Sequence, residues 1–242
     1  MSYQSEVLAD NPNGYWQLNE AAGPTVLDYS GNGLDMTAFN TPTFGVPGPV
    51  INNTAVSFDA ANSEYLRVPD PTSLLQTGDI FTIELWSKKT NNPATFQILY
   101  NKDTGAGSIS LQFEGDEKIR LVRRPGDNVV RTNVAIIDTD WHYFASVKNG
   151  AVSTIMYLDM IDVSDTVTDF TFVSNANDLT VAILGNLSFP FNGSLAQVAY
   201  YPSALSVARL QAHFDAATAL PSTRRRYRLL SDPRQSVVLS GR

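Results

Sequence analysis

Three groups of residues in this 242-residue chain have types and spacings that could do chemistry. The first is Asp28-x-Ser30-x-Asn32-Gly33, with oxygens at alternate positions and glycine at the sixth, as an EF-hand calcium loop begins. Such a loop needs a bidentate glutamate at its twelfth position, which is Phe39 here, so an EF-hand is excluded. Without a metal, the same residues make a tight Asx turn with glycine at positive φ. The second group is Glu84 and Trp86 on one alternating stretch, with Tyr100, Asn101 and Asp103 at the end of the next. An exposed aromatic for a sugar face, beside amides and carboxylates for its hydroxyls, would make a carbohydrate site. The competing expectation is that Trp86 packs beneath a loop or a second layer. The third group is Arg224, Arg225, Arg226, Arg228 and Arg234, a cluster suited to phosphates or carboxylates.

Other chemistries lack their residues. Glycoside hydrolysis needs two carboxylates about 5 to 9 Å apart around one bond. Glu84 stands alone in its stretch, and Glu114-Gly115-Asp116-Glu117 reads as a solvated hairpin turn, so no catalytic residue is expected. His142 and His213 have no further ligands at zinc spacing. There is no Gly-x-Ser-x-Gly elbow and no phosphate loop. The absence of cysteine removes disulfides and thiolate metal sites.

The elements that must position these residues are mostly strands. Turn signals recur at Asp10-Asn11-Pro12-Asn13-Gly14, Gly45-Val46-Pro47-Gly48-Pro49, Gly105-Ala106-Gly107, Pro125-Gly126-Asp127-Asn128 and Lys148-Asn149-Gly150. Between them lie strand-length runs rich in β-branched and aromatic residues. Phe81, Ile83 and Leu85 would face one side, with Thr82, Glu84 and Trp86 on the other. Ile109, Leu111 and Phe113 form one face, and Trp141, Tyr143, Ala145 and Val147 alternate with His142, Phe144 and Ser146. This pattern predicts an all-β, antiparallel two-sheet sandwich joined through its apolar faces, with the outer faces wet. Only 206–217 reads as a helix, with Ser206 as N-cap. Hydrophobic residues make up 43% of the chain, enough for one large core, and no linker divides the body.

A net charge of -7 hides an asymmetry. Residues 221–242 hold six arginines and one acid, a side-chain sum of +5, so the other 220 residues carry -12. An acidic body would repel a polyanion, so no nucleic-acid partner is expected. The tail has apolar residues only in short runs and reads as an extended basic arm suited to docking on a partner, with 235–240 as an added strand. The start of the chain lacks the basic and apolar regions of an export signal, and no stretch is long and apolar enough for a membrane span.

The stretch Gly14-Tyr15-Trp16-Gln17-Leu18-Asn19-Glu20, followed by Asp28-Tyr29-Ser30-Gly31-Asn32-Gly33, is answered by Phe191-Asn192-Gly193-Ser194-Leu195-Ala196-Gln197-Val198-Ala199-Tyr200-Tyr201. With Phe81-Thr82-Ile83-Glu84-Leu85-Trp86 and Trp141-His142-Tyr143-Phe144-Ala145 between them, the chain from about Gly14 to Ala217 resembles the laminin-G-like jelly rolls of the concanavalin A-like lectin/glucanase superfamily. The resemblance implies a jelly roll over 13–220, preceded by a segment 1–12 and followed by the arm 221–242. It also implies calcium near Asp28 and Asn32, although Ala196 and Gln197 stand where many relatives carry acids. The glucanase pattern Glu-x-Asp-x-x-Glu is absent. A looser resemblance links the chain to such domains in tailed-bacteriophage virion proteins. It implies a non-enzymatic minor tail or head-decoration subunit on the virion surface, oligomeric, its arm docked on other virion proteins and its jelly roll adhering to glycans. The alternative is a free, extracellular carbohydrate-binding module.

Overall fold

Alternating side chains give each strand two faces, and the fold is decided by what each face meets. The computed structural model describes residues 2–218 apart from 71–73, 91–94, 103–107, 125–126, 151–152, 166 and 169–170. Asp103 and the arginines of the arm therefore lie outside the described residues. The strands are β1 (Gly14–Trp16), β2 (Thr25–Val26), β3 (Met36–Phe39), β4 (Thr43–Pro47), β5 (Thr54–Phe58), β6 (Tyr65–Val68), β7 (Ile80–Lys89) and β8 (Gln97–Lys102). They continue as β9 (Ile109–Phe113), β10 (Ile119–Arg123), β11 (Asp127–Arg131), β12 (His142–Asn149), β13 (Ser153–Leu158), β14 (Ile161–Asp162), β15 (Leu179–Val181) and β16 (Gly193–Tyr201).

They form two eight-stranded sheets, and the described pairings are antiparallel. Sheet A runs β14-β13-β12-β7-β16-β5-β4, with β1 also on β16; sheet B runs β11-β10-β9-β8-β15-β6-β3-β2. The two opening and closing sequence stretches meet directly, since β1 pairs with β16 from Gly14 opposite Tyr200 to Trp16 opposite Val198. Gly193 opens β16 because a Cβ there would sit 2.3 Å from the Lys88 carbonyl oxygen on β7.

The core between the sheets takes the apolar faces expected of β7 and β9: Phe81, Ile83 and Leu85 meet Ile109, Leu111 and Phe113. Trp16, Leu195, Val198 and Tyr200 join it from β1 and β16.

The outer face of sheet A is not wet. It carries a second core of Tyr15, Trp86, Tyr143, Ala145, Ala199 and Tyr201, covered by two helices, α1 (Tyr3–Ala9) and α2 (Val207–Thr218). Helix α2 matches the expected 206–217, but α1 was not expected. Ser2 caps it by accepting from the Ser5 N–H, and its Tyr3 and Val7 are buried in the second core. Seven residues are too few to hold a helix alone, so tertiary packing stabilises α1. Within the segment 1–12, α1 packs against α2 and sheet A.

Candidate functional site

Glu84 and Trp86 share the face that the alternation assigns them, and that face is closed. Trp86 is only 4% exposed and stacks on Phe214 of α2, with ring centroids 5.7 Å apart and planes 9° from parallel. Glu84 is wholly buried between Ala145 on β12 and Ala199 on β16, small residues that leave room for the helix layer. Its Oε1 accepts from Tyr201 at 2.7 Å, and Oε2 accepts from the Tyr143 hydroxyl and from His213 Nδ1 at 3.0 Å. On its other edge His213 Nε2 reaches Asp10 at 2.9 Å and the Glu6 carbonyl at 3.2 Å. Carboxylates beside both nitrogens favour the protonated ring. Burial alone would lower the His213 pKa, but Glu84 and then Asp10 carry it above its ordinary value. Burial first, and Glu84 second, push the Tyr143 and Tyr201 hydroxyls well up. Arg209 completes the clamp on α1, through Nε to Asp10 and Nη2 to Glu6. Neither Glu84 nor Trp86 is available to a sugar or a water nucleophile; they join the helices to sheet A.

Nor do the remaining expected ligand residues join them. Tyr100 is buried between the sheets, its hydroxyl donating to the Leu75 carbonyl at 3.3 Å. Asn101, its neighbour on β8, points to the opposite face, the outer side of sheet B, and is also buried. Two sheets and the inter-sheet core therefore separate Trp86 from Asn101, and the four described residues of the set do not converge.

That outer face of sheet B holds a polar row the sequence reading missed. Ser110 lies opposite Asn101, Asn101 opposite Thr180, and Thr180 opposite Arg67. Three inter-strand steps make this row about 14 Å long. Thr180 Oγ1 donates to the Ile183 carbonyl at 2.7 Å, and Arg124 Nη2 donates to Ser110 Oγ at 3.1 Å and Gln112 Oε1 at 2.8 Å. A groove of about 290 Å³ opens at the Thr180–Arg67 end of the row, walled by Arg67, Ala176, Asn177, Asp178, Thr180 and Gly185; Ser110 and Asn101, farther along, are buried. At its mouth Arg67 lies 3.7 Å from Asp178 and 4.9 Å from the Phe39 ring centre, and that ring stacks on Tyr65. Hydroxyls, amides and a stacked aromatic along a groove can meet sugar hydroxyls and a sugar face. A larger cleft of about 360 Å³, lined by Pro24, Ala38, Pro42 and Phe44, is mainly apolar and lies at the β2–β3 edge, away from the row. Ser110 and Gln112 alternate with Ile109 and Leu111, so the signal for the row was present in the sequence.

The Asp28 turn is self-contained. Oδ1 accepts from the N–H groups of Tyr15 at 3.1 Å and Ser30 at 2.9 Å, and Oδ2 accepts from Ser30 Oγ at 2.7 Å and the Leu34 N–H at 3.0 Å. Asn32 Nδ2 donates to the Asn13 carbonyl at 3.0 Å. Four donors occupy the carboxylate, and the described residues contain no group of three acidic, histidine or cysteine side chains placed to hold a metal. Gln197, in the β16 bulge, accepts from the Tyr15 hydroxyl at 2.6 Å.

Two antiparallel sheets, a polar groove on one outer face and a helix-sealed opposite face define a lectin-type jelly roll. A family model described as the concanavalin A-like lectin/glucanases superfamily, laminin G type, matches residues 60–211, and the chain belongs to that family. Among solved structures, it is similar to the binding domain of Paraclostridial Mosquitocidal Protein 1, with TM-score 0.68 and 16% identity over 86% of this chain and 53% of that one. It is similar also to the botulinum neurotoxin serotype D binding domain, with TM-score 0.65 and 12% identity over 88% and 52%. The chain thus spans about half the length of these two. Domain 4 of AbnA, a GH43 extracellular arabinanase from Geobacillus stearothermophilus in complex with arabinotriose, gives TM-score 0.64 and 17% identity over 86% of this chain and 98% of that domain. At these identities the likeness is one of fold. A search of curated proteins gave no match.

Proposed function

We propose that the chain is a non-enzymatic, lectin-like adhesion domain that binds glycans in the groove on the outer face of sheet B. The observation that carries this reading is the contrast between the two outer faces. Helices α1 and α2 seal sheet A, whereas sheet B opens a polar groove at the Thr180–Arg67 end of its polar row. The arabinotriose complex of a domain of nearly the same extent supports a sugar as the ligand class. Glu84, with both oxygens engaged and no exposure, gives no support to a hydrolase. A glycan array probed with the full chain and with Arg67→Ala tests the reading. Reproducible binding that weakens in the variant is expected, and a silent array would contradict it.

The finer part of the proposal is display on the surface of a tailed-phage virion, with residues 221–242 docking onto neighbouring virion proteins. Its support is the sequence contrast between an arm of +5 and a body of -12. Deleting 221–242 should then abolish incorporation into particles while the domain still folds. A free extracellular binding module would show the same glycan binding without dependence on the arm.

A further inference from the structure

At the β9–β10 end of the polar row sits a cation, Arg124, with no counter-ion among the described residues. Arg124 is half-buried, and its described partners are neutral: Nη2 donates to Ser110 Oγ and Gln112 Oε1. No carboxylate pairs with it among the described residues, although Arg120 and Arg131 nearby both reach Glu114. Burial, and then the neighbouring Arg120, lower the Arg124 pKa. Two further donors are orphaned beside it. Gln112 is wholly buried with its Nε2 unpartnered, and Ser108 is wholly buried with its hydroxyl unpartnered. Arg124 Nε is likewise buried without a partner. Backbone pairing keeps these groups together: the Arg124 N–H donates to the Ser108 carbonyl at 2.8 Å, and Ser110 and Gln112 follow at alternate positions on the same face of β9. Native interiors satisfy nearly all buried donors, and an unpaired buried charge is costly. A cluster that holds a positive charge and spare donors, with only neutral acceptors described, is arranged for an anion supplied from outside.

We propose that Arg124, with Ser108, Ser110 and Gln112, receives the carboxylate of an acidic saccharide, a uronate-type sugar, at the β9–β10 end of the polar row, while the sugar's far end reaches the Thr180–Arg67 groove. This rests on the glycan reading above and names the ligand class. The ligand's far hydroxyls meet Thr180 and Arg67 in the groove, and its carboxylate pairs with the Arg124 guanidinium, which Ser110 and Gln112 hold in place. A neutral sugar would leave the charge uncompensated.

The test uses the full chain, trigalacturonic acid and its fully methyl-esterified form, which keeps the sugar rings and removes the charge. Calorimetry should show the acid binding at least tenfold more tightly than the ester, with the preference lost in Arg124→Gln. In arginine-labelled protein, the Nε–H signal of Arg124 should move with the acid and stay with the ester. Ser108→Ala provides a second variant that removes an unsatisfied hydroxyl and should fold well; it should weaken the acid several-fold. Equal binding of acid and ester, or binding that leaves the Arg124 signal unmoved, overturns the carboxylate assignment while the glycan reading stands. Failure of both trisaccharides to bind, while the array returns other sugars, also overturns this assignment alone. A silent array overturns both.

Discussion

His213 Nδ1 lies 3.0 Å from Glu84 Oε2, although 129 positions separate the two residues in the chain. This contact, wholly buried on both sides, ties helix α2 to the middle strand pair of sheet A. It explains why the outer face of β7 holds a carboxylate that no solvent reaches. Replacing Glu84 with Gln leaves His213 as a buried cation short of one partner, and should cost about 3 to 5 kcal/mol. Denaturant unfolding of Glu84→Gln, His213→Gln and the double variant checks this. The double variant should be more stable than the sum of the single losses predicts; simple additivity would contradict the pairing.

A second histidine sets a pH dependence. His142 donates from Nδ1 to Asp159 at 2.6 Å and from Nε2 to Asp138 at 2.8 Å. The Asp159 bond, with that of Asp138, raises its pKa to about 9 against the desolvation that would lower it. The folded pKa thus lies above the unfolded value of about 6.5, so the folded state binds the proton more tightly. The stabilisation is complete below about pH 6.5, declines as pH rises, and is gone above about pH 9. His213 acts with the same sign. The melting temperature of the wild type should fall across this window, and His142→Gln should flatten part of the slope. An unchanged slope in the variant would contradict the assignment.

Trp86→Ala separates packing from recognition. The indole lies between Tyr143 and Phe214, so its loss should cost about 3 to 5 kcal/mol in unfolding free energy. Glycan affinity at a temperature where the variant is folded should not change. Affinity lost in step with a small stability change would return the binding site to sheet A.

The Asp28 turn should be a stability element. Asp28→Ala removes an acceptor of four hydrogen bonds and should cost about 2 to 4 kcal/mol, because bonds to a charged group contribute about 1.5 to 3 kcal/mol each and are not additive. Chelator should leave the wild-type melting temperature unchanged. A rise that depends on added calcium concentration would show that a cation displaces those bonds.

Much of the sandwich is legible in period-2 alternation, because Phe81, Ile83, Leu85 and Ile109, Leu111, Phe113 each have one face that only an apolar layer accepts. The sheet A face was misread for a physical reason. Glu84 looks solvent-facing locally, and its burial depends on Tyr143, Tyr201 and His213, which lie 59, 117 and 129 residues away. Helix α1 is hidden similarly, since its stability comes from α2 and sheet A and not from its seven residues. The polar row is partly legible through Ser110 and Gln112, but its convergence with Thr180 and Arg67 depends on the order β9-β8-β15-β6, which no local pattern encodes.

Sugar binding to sheet B, and not to sheet A, can be seen residue by residue. A chemical-shift map of the amide-labelled full chain, titrated with the tightest oligosaccharide from the array, tests it most directly. The largest shifts should cluster at Arg67, Asn101, Ser110, Gln112 and Thr180, with Trp86, Phe214 and the two helices undisturbed. Shifts centred on Trp86 and the helix layer would contradict it.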